Sequence, residues 1–189
     1  MNEALWSPSS ASIQNTAMFQ FANFAKKYGF LGSSDNYNEL YDWSIKDKSN
    51  FWSAVWEFGE IRSSKKYSKT IKELDNIPWS EWFVDAELSY AENLLRKKDS
   101  SIAIISWTEN SRPSNGKILN ETKLTYKELF QKVAKVTGYL KSLGIKKGDC
   151  VAAFMPNIPE TIIGFLATNS IGAIWASCSS EFEPNAVLS

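Results

Sequence analysis

The chain contains no histidine in its 189 residues. That absence removes imidazole-based zinc sites and every Ser-His or Cys-His nucleophile pair from what these residues do by themselves. Cysteine is almost as scarce. Cys150 and Cys178 are the only two, and they form neither a disulfide framework nor a metal-ligand spacing, so no metal-binding residue is nominated. Charge of one sign is also missing: Lys and Arg number 21, Asp and Glu 21. No field therefore draws the chain to nucleic acid or to an anionic membrane. The local run Lys65-Lys66 with Lys69 and Lys72 reads as a solvated helix face. No apolar run approaches the length of a membrane span, and the N-terminus lacks a basic region followed by an apolar one. The expected setting is a reducing, soluble, cytoplasmic one. A glycine-rich dinucleotide fingerprint and a Gly-Lys-Ser or Gly-Lys-Thr phosphate loop are absent too. Asp85, Glu87 and Glu92 read as solvated carboxylates.

What is present in excess is aromatic: 14% of the residues, with 8 Trp, which predicts large buried anchors. Most fall early. Met18, Phe21, Ala22, Ala25 and Tyr28 make a helical stripe that stops at Gly29. Asp35 is placed to cap a second helix carrying Tyr37, Leu40 and Tyr41. Phe51, Trp52, Val55 and Trp56 make a third that ends near Gly59. Such stripes can line a binding groove, but core or inter-domain packing is their expected role. Residues 60–80 read as a charged surface connection closed by Ile77-Pro78-Trp79. Ser89 and Glu92 stand at capping-box spacing and predict a short helix through Leu95.

The stretch from Leu124 to Ser177 organises the rest. Before it, Ser101–Trp107 is an expected strand, 110–116 a loop, and Ile118–Leu124 the returning strand of a hairpin. Thr125 and Glu128 form a second capping box, with Leu124 and Leu129 flanking it as a hydrophobic staple. Leu129, Val133, Val136, Leu140 and Leu143 continue as one stripe to Gly144. Val151–Met155 is apolar on both faces, as a strand buried in a parallel sheet should be. Pro159 suits the first position of a helix with Ile162, Ile163, Leu166 and Ala167 on its buried side, ended by Gly172. Ala173–Ser177 reads as the next strand. Alternation of strands and helices at this spacing gives an α/β fold with a doubly wound, mostly parallel sheet, preceded by an aromatic-rich helical segment.

One place suggests chemistry. Ser179, Ser180, Glu181 and Phe182 follow the last strand, at the carboxyl edge of a parallel sheet, where ligands bind in open α/β folds. A plain strand-to-helix connection explains the same residues, and both readings stand. No catalytic residue is nominated.

The motifs now in place resemble those of the acyl-adenylate-forming enzymes. Leu124-Thr125-Tyr126-Lys127-Glu128-Leu129 is similar to the first core motif of that superfamily. Lys147-Gly148-Asp149-Cys150-Val151, Met155-Pro156-Asn157 and Ile171-Gly172-Ala173 follow in its order. Trp82-Phe83 with Leu88-Ser89-Tyr90-Ala91-Glu92-Asn93-Leu94-Leu95 resembles the signature of the acetoacetyl-CoA synthetases. So do Leu5-Trp6-Ser7-Pro8-Ser9, Leu40-Tyr41-Asp42-Trp43-Ser44 and the run Ile174–Phe182. Ser89 replaces the usual Asn, and Glu183 stands where Gly is common.

The resemblance implies a boundary, with residues 1–98 as the helical N-terminal segment and 99–189 as the start of an AMP-binding α/β domain. It implies a ligase that joins acetoacetate to CoA at the expense of ATP, with magnesium, and small-molecule substrates as its partners. The phosphate loop, the ribose-binding Asp and the catalytic Lys of that family have no counterpart here. The chain is therefore expected to be an N-terminal fragment, inactive by itself, with the rest of the polypeptide missing. Ser179, Ser180, Glu181 and Phe182 then correspond to a CoA-side loop. Two other readings remain: a ligase for another short acid, such as acetate or propionate, and a non-catalytic binding module.

Overall fold

The computed structural model describes residues 5–72, 78–108, 120–183 and 185. The loop expected over 110–116, the start of the returning strand and Ile77 lie outside them. The chain divides into two compact units, Met1–Glu87 and Leu88–Ser189.

The first unit opens with α1 (Ser10–Gln14), capped by Ser9, and α2 (Ala17–Ala25), capped by Thr16. A single 3-10 turn, Lys26–Tyr28, extends α2 to Gly29, whose φ of 92° supplies the left-handed stop. Two helices follow, α3 (Tyr37–Lys46) and α4 (Lys48–Phe58). The cap of α3 is Asn36, not Asp35. The Asn36 side chain accepts the amides of Asn38 and Glu39, while Asp35 is engaged by the hydroxyl of Ser33. A short oxygen acceptor one residue later closes the first turn better than the expected one.

The core here is small residues under aromatic rings. Ala22, Ala25, Phe30, Leu40 and Ala54 are buried, with Phe21, Tyr28 and Trp43 packed on them. Phe21 meets Phe51 and Phe58 edge to face at 5.6 and 5.3 Å, and Trp43 meets Phe51 at 5.5 Å. The stripe residues Tyr37, Tyr41 and Trp52 remain exposed. Rings pack by orientation as well as by position, so a helical period alone does not say which are covered.

The charged connection is not all loop. β1 (Lys69–Lys72) pairs antiparallel with β2 (Glu81–Val84), Ile71 opposite Trp82. Thr70 and Ile71 are buried. The basic run therefore lies on a strand and its approach, not on a helix face. Its charges meet carboxylates, Lys72 with Glu81 at 3.1 Å and Lys65 with Asp85 at 4.0 Å.

The second unit begins with α5 (Tyr90–Leu94), where Ser89 accepts the Glu92 amide. β3 (Ile102–Ser106) and β4 (Thr122–Thr125) form the expected antiparallel hairpin. α6 (Tyr126–Ser142) starts at a complete capping box. Glu128 N donates to Thr125 Oγ1 at 3.2 Å, and Thr125 N donates to the Glu128 carboxylate at 2.9 Å. These bonds hold the Glu128 carboxyl below the usual range, the Thr125 amide contributing most and its hydroxyl next.

β5 (Cys150–Phe154), α7 (Pro159–Ile171) and β6 (Ile174–Cys178) complete the unit as a β-α-β element with β5 and β6 parallel. Pro159 opens α7 and Gly172, at φ 78°, closes it. Gly164 lets the Trp175 ring lie against α7, since a Cβ there would stand 3.1 Å from the ring. Leu124, Leu129, Val133, Ile163, Leu166 and Ala167 are buried together with Ala91 and Leu95.

Among the described residues the strands form three two-stranded sheets, two antiparallel and one parallel. β5 departs from the expected burial on both faces: Cys150, Ala152 and Phe154 are exposed, and Val151 and Ala153 are half-buried. No described layer closes over the outer residues. Leu143 and Ile162, expected on buried sides, are exposed as well. Leu143 caps α6 from outside the helix, and Ile162 sits one position off the face that carries Ile163, Leu166 and Ala167.

Candidate functional site

The parallel register brings two loops to one edge. Phe154 at the end of β5 is paired with Cys178 at the end of β6. The residues after both strands, 155–158 and 179–182, therefore leave the sheet at its carboxyl edge, the place where open α/β sheets present ligands.

Local bonds shape each loop. In the first, Ile158 N donates to Pro156 O at 2.9 Å and Thr161 Oγ1 donates to Pro156 O at 2.7 Å. These contacts turn the chain into α7, whose start has no side-chain cap. In the second, Phe182 N donates to Ser179 O at 3.1 Å and Glu181 N donates to Ser179 Oγ at 3.3 Å. Ser179 thus organises a turn with both its carbonyl and its hydroxyl. Ser179, Ser180, Glu181 and Phe182 are all exposed. The sequence reading brought these four together, and the structure places them in one exposed turn at that edge.

Beside the first loop lies a cavity of 180 Å³, lined in part by Ile105, Trp107, Asn157, Ile158 and Ile162. Trp107 Nε1 donates to Glu121 at 2.7 Å, and Lys123 pairs with the same carboxylate at 2.6 Å. Lys123 first and Trp107 second hold the Glu121 carboxyl below its ordinary range. A larger cavity of 610 Å³ lies against the β-α-β element, lined by Val136, Leu140, Val151, Ala153, Ile163 and Trp175 among others. In the first unit, Trp52 and Trp82 meet edge to face at 5.6 Å beside an open cavity of 520 Å³ that Lys48 also lines. Sequence reasoning did not name the cavity against the β-α-β element, whose signal was the count of apolar residues in β5 and α7 beyond what one buried face requires. The cavity in the first unit is lined by Phe51 and Trp52 of the third aromatic stripe, for which a groove is the lesser of two readings.

Asp85, Glu87 and Glu92 do not converge on a site. Asp85 accepts from Ser68 Oγ at 2.6 Å, and Glu87 is held by backbone bonds with Ser64 and Lys65. Among the described residues no three Asp, Glu or Cys side chains gather as a metal cluster would require. The donor set of the described residues does not fit magnesium. Cys150 and Cys178 are free thiols at opposite ends of the parallel pair. No helix among the described residues is long and apolar enough to cross a membrane.

Residues 100–188 match a family model described as AMP-binding enzyme, and residues 37–94 match one described as acetyl-coenzyme A synthetase N-terminus. An acetoacetyl-CoA synthetase of Xenopus tropicalis is 39% identical over 98% of this chain and 26% of that protein. An acetoacetyl-coenzyme A synthetase of Rhizobium meliloti (strain 1021) is 36% identical over 97% of this chain and 27% of that protein. The solved acetoacetyl-CoA synthetase of Streptomyces lividans superposes with a TM-score of 0.85 at 29% identity, covering 99% of this chain and 28% of that one. The chain thus spans about a quarter of the length of the curated relatives it matches.

Proposed function

We propose that this chain is the N-terminal part of an acid–thiol ligase of the acyl-adenylate-forming family acting on acetoacetate, since it aligns over nearly its whole length with about a quarter of acetoacetyl-CoA synthetases. In the whole enzyme the acetoacetate carboxylate attacks the α-phosphorus of ATP, pyrophosphate leaves, and the CoA thiol then displaces AMP from the acyl-adenylate. The observation that carries this reading is the alignment with acetoacetyl-CoA synthetases over 98% of the chain.

The chain's own share in this reading is scaffolding. Residues 1–98 act as the helical N-terminal segment and 99–189 as the start of the adenylate-forming domain; the two matched stretches, 37–94 and 100–188, support that division. ATP and magnesium are held by groups outside this chain. The Ser179–Phe182 turn faces CoA: it is exposed, polar on one side, and carries an aromatic ring at the sheet's carboxyl edge. The enzyme works in the cytoplasm on small molecules.

A second reading, with acetate as the acid, has support in the description of the model that matches 37–94. Acid-dependent exchange of pyrophosphate into ATP, assayed with each acid in a full-length enzyme carrying this chain, decides between them. The same assay on the isolated chain should show no exchange. In the full-length enzyme, Ser180→Trp should obstruct thioester formation and leave exchange intact. Loss of both half-reactions would put the turn in the first step, and loss of neither would make it a surface connection.

A further inference from the structure

We propose that Ser100 is a phosphorylation site, modified at its hydroxyl by a serine kinase that recognises basic side chains ahead of its target. The proposal does not depend on the family reading above.

The sequence presents the required pattern twice. A kinase of this kind lines its substrate groove with carboxylates, and two adjacent lysines, one spacer residue and a serine supply the complementary charges. Lys65-Lys66-Tyr67-Ser68 and Lys97-Lys98-Asp99-Ser100 both have this spacing. Sequence alone does not separate them. The structure does.

The first run is locked into a ladder. Lys65 bridges Glu87 in antiparallel fashion, its amide donating to Glu87 O at 3.3 Å and its carbonyl accepting the Glu87 amide at 3.0 Å. Ser68 N donates to Val84 O at 2.9 Å, and Ser68 Oγ donates to Asp85 at 2.6 Å. The Tyr67 ring sits against Trp56 and Phe83, at 5.2 and 5.3 Å. A kinase takes its target as an extended segment with the hydroxyl free to reach a base. In this run both the backbone and the hydroxyl are occupied.

The second run is open. It lies between α5 and β3, in neither helix nor strand. Every residue from Arg96 to Ile102 is exposed. The neighbouring Ser101 is engaged, its amide and its hydroxyl both donating to Asp99. The Ser100 hydroxyl has no hydrogen-bond partner among the described residues. Lys97 stands 3.8 Å from Asp99 and 4.9 Å from the centre of the Tyr126 ring, and Lys98 stands 3.9 Å from the centre of the Phe130 ring. Exposed contacts of this kind are weak, and a carboxylate in a kinase groove displaces them.

The fold accommodates the product. Lys127 N donates to Asp99 O at 2.9 Å and Tyr126 N to Ser101 O at 3.0 Å. Ser100 therefore lies between two residues tied to the first turn of α6, where added negative charge is favourable. In the transfer, Ser100 Oγ bonds to the γ-phosphorus of ATP and the bond from that phosphorus to the β–γ bridging oxygen breaks. ADP leaves, and the hydroxyl proton passes to the kinase's carboxylate base.

The test uses the whole chain, ATP labelled at its γ-phosphate, and the catalytic subunit of a kinase selective for basic residues two and three positions before serine. Mass spectrometry should place the label on Ser100, with Ser68 labelled roughly tenfold more slowly or less. Ser100→Ala should remove the label and Ser101→Ala should keep it. Lys97→Ala combined with Lys98→Ala, both at exposed positions, should slow labelling roughly tenfold while circular dichroism stays unchanged. An unlabelled Ser100 overturns the proposal. So does labelling of Ser68 at the same rate, since the structure would then not discriminate between the runs, and so does a rate indifferent to the two lysines.

Discussion

The two units use different chemistry to close a core. The first places few, large rings over alanines: Ala22, Ala25 and Ala54 are fully buried, and Phe21, Phe24, Phe51 and Phe58 meet one another around them at 5.3–5.6 Å. The second interdigitates aliphatic side chains from α5, α6 and α7 with a β-hairpin. Its ring contacts are Tyr90 with Phe165 and Phe165 with Trp175. Ring packing leaves polar edges to be satisfied. The Trp43 indole N–H is buried without a partner among the described residues, a cost of about 1–3 kcal/mol for a buried donor. The Tyr28 hydroxyl instead reaches Glu57, which Lys27 also pairs at 3.2 Å. At the margin of the aliphatic core the rings make the same demand: Trp107 Nε1 donates to Glu121, which Lys123 also pairs, and Lys98 lies 3.9 Å from the centre of the Phe130 ring. In both units it is the rings that bring charge to the margin of the core.

The largest expected effects test that contrast directly. Phe30→Ala removes the one fully covered ring of the first core, 2% exposed, and should cost about 3–5 kcal/mol by denaturant unfolding. Leu166→Ala removes a side chain 3% exposed in the second and should cost about 2–5 kcal/mol. If Phe30→Ala costs less than 1 kcal/mol, the rings are decoration on an alanine core and the comparison fails. Next comes Thr125→Ala, expected at about 0.5–2 kcal/mol for a lost N-cap, with α6 helicity reduced at its start.

The smallest effect is a pH dependence that separates the units. Burial first, and the Glu57 carboxylate second, push the Tyr28 phenol up to about 12. The unfolded phenol releases its proton near its ordinary value of 10.0, so the folded state binds the proton more tightly and loses stability as pH rises from there towards about 12. Tyr28→Phe should flatten that alkaline limb. Glu57 and Glu128 are both held below the ordinary carboxylate value. Their contributions are present above it and fade as pH falls through the lower folded values, so acid should weaken both units. An alkaline limb that survives Tyr28→Phe would show that another group carries it.

The contrast also explains what could be read in advance. The second unit was legible almost element by element. Thr125 and Glu128 announce a helix start by their spacing, Pro159 and Gly172 bound α7, and the run of strand, helix and strand fixes a parallel crossover. These signals are local, and each is satisfied by atoms a few residues away. In the first unit the helices were legible from Gly29 and Gly59, with the cap of α3 expected at Asp35 and found one residue later at Asn36, but the covered set was not. The β1–β2 hairpin was missed because Lys69-Thr70-Ile71-Lys72 shows no alternation: two adjacent residues are buried between two exposed ones.

The sequence by itself determined the kind of protein this is. Two capping boxes and the alternation of strands and helices give an α/β chain, and an ordered set of motifs gives its resemblance to the adenylate-forming enzymes. Tertiary structure alone decided that Phe154 and Cys178 end side by side, so that the Pro156 and Ser179 turns share one edge. It alone decided that one face of β5 stays open, and that Trp175 reaches α7 through the gap left by Gly164. The reason is range. Caps, turns and helical stripes are satisfied within a few residues, whereas burial of a strand face depends on which distant element lies against it.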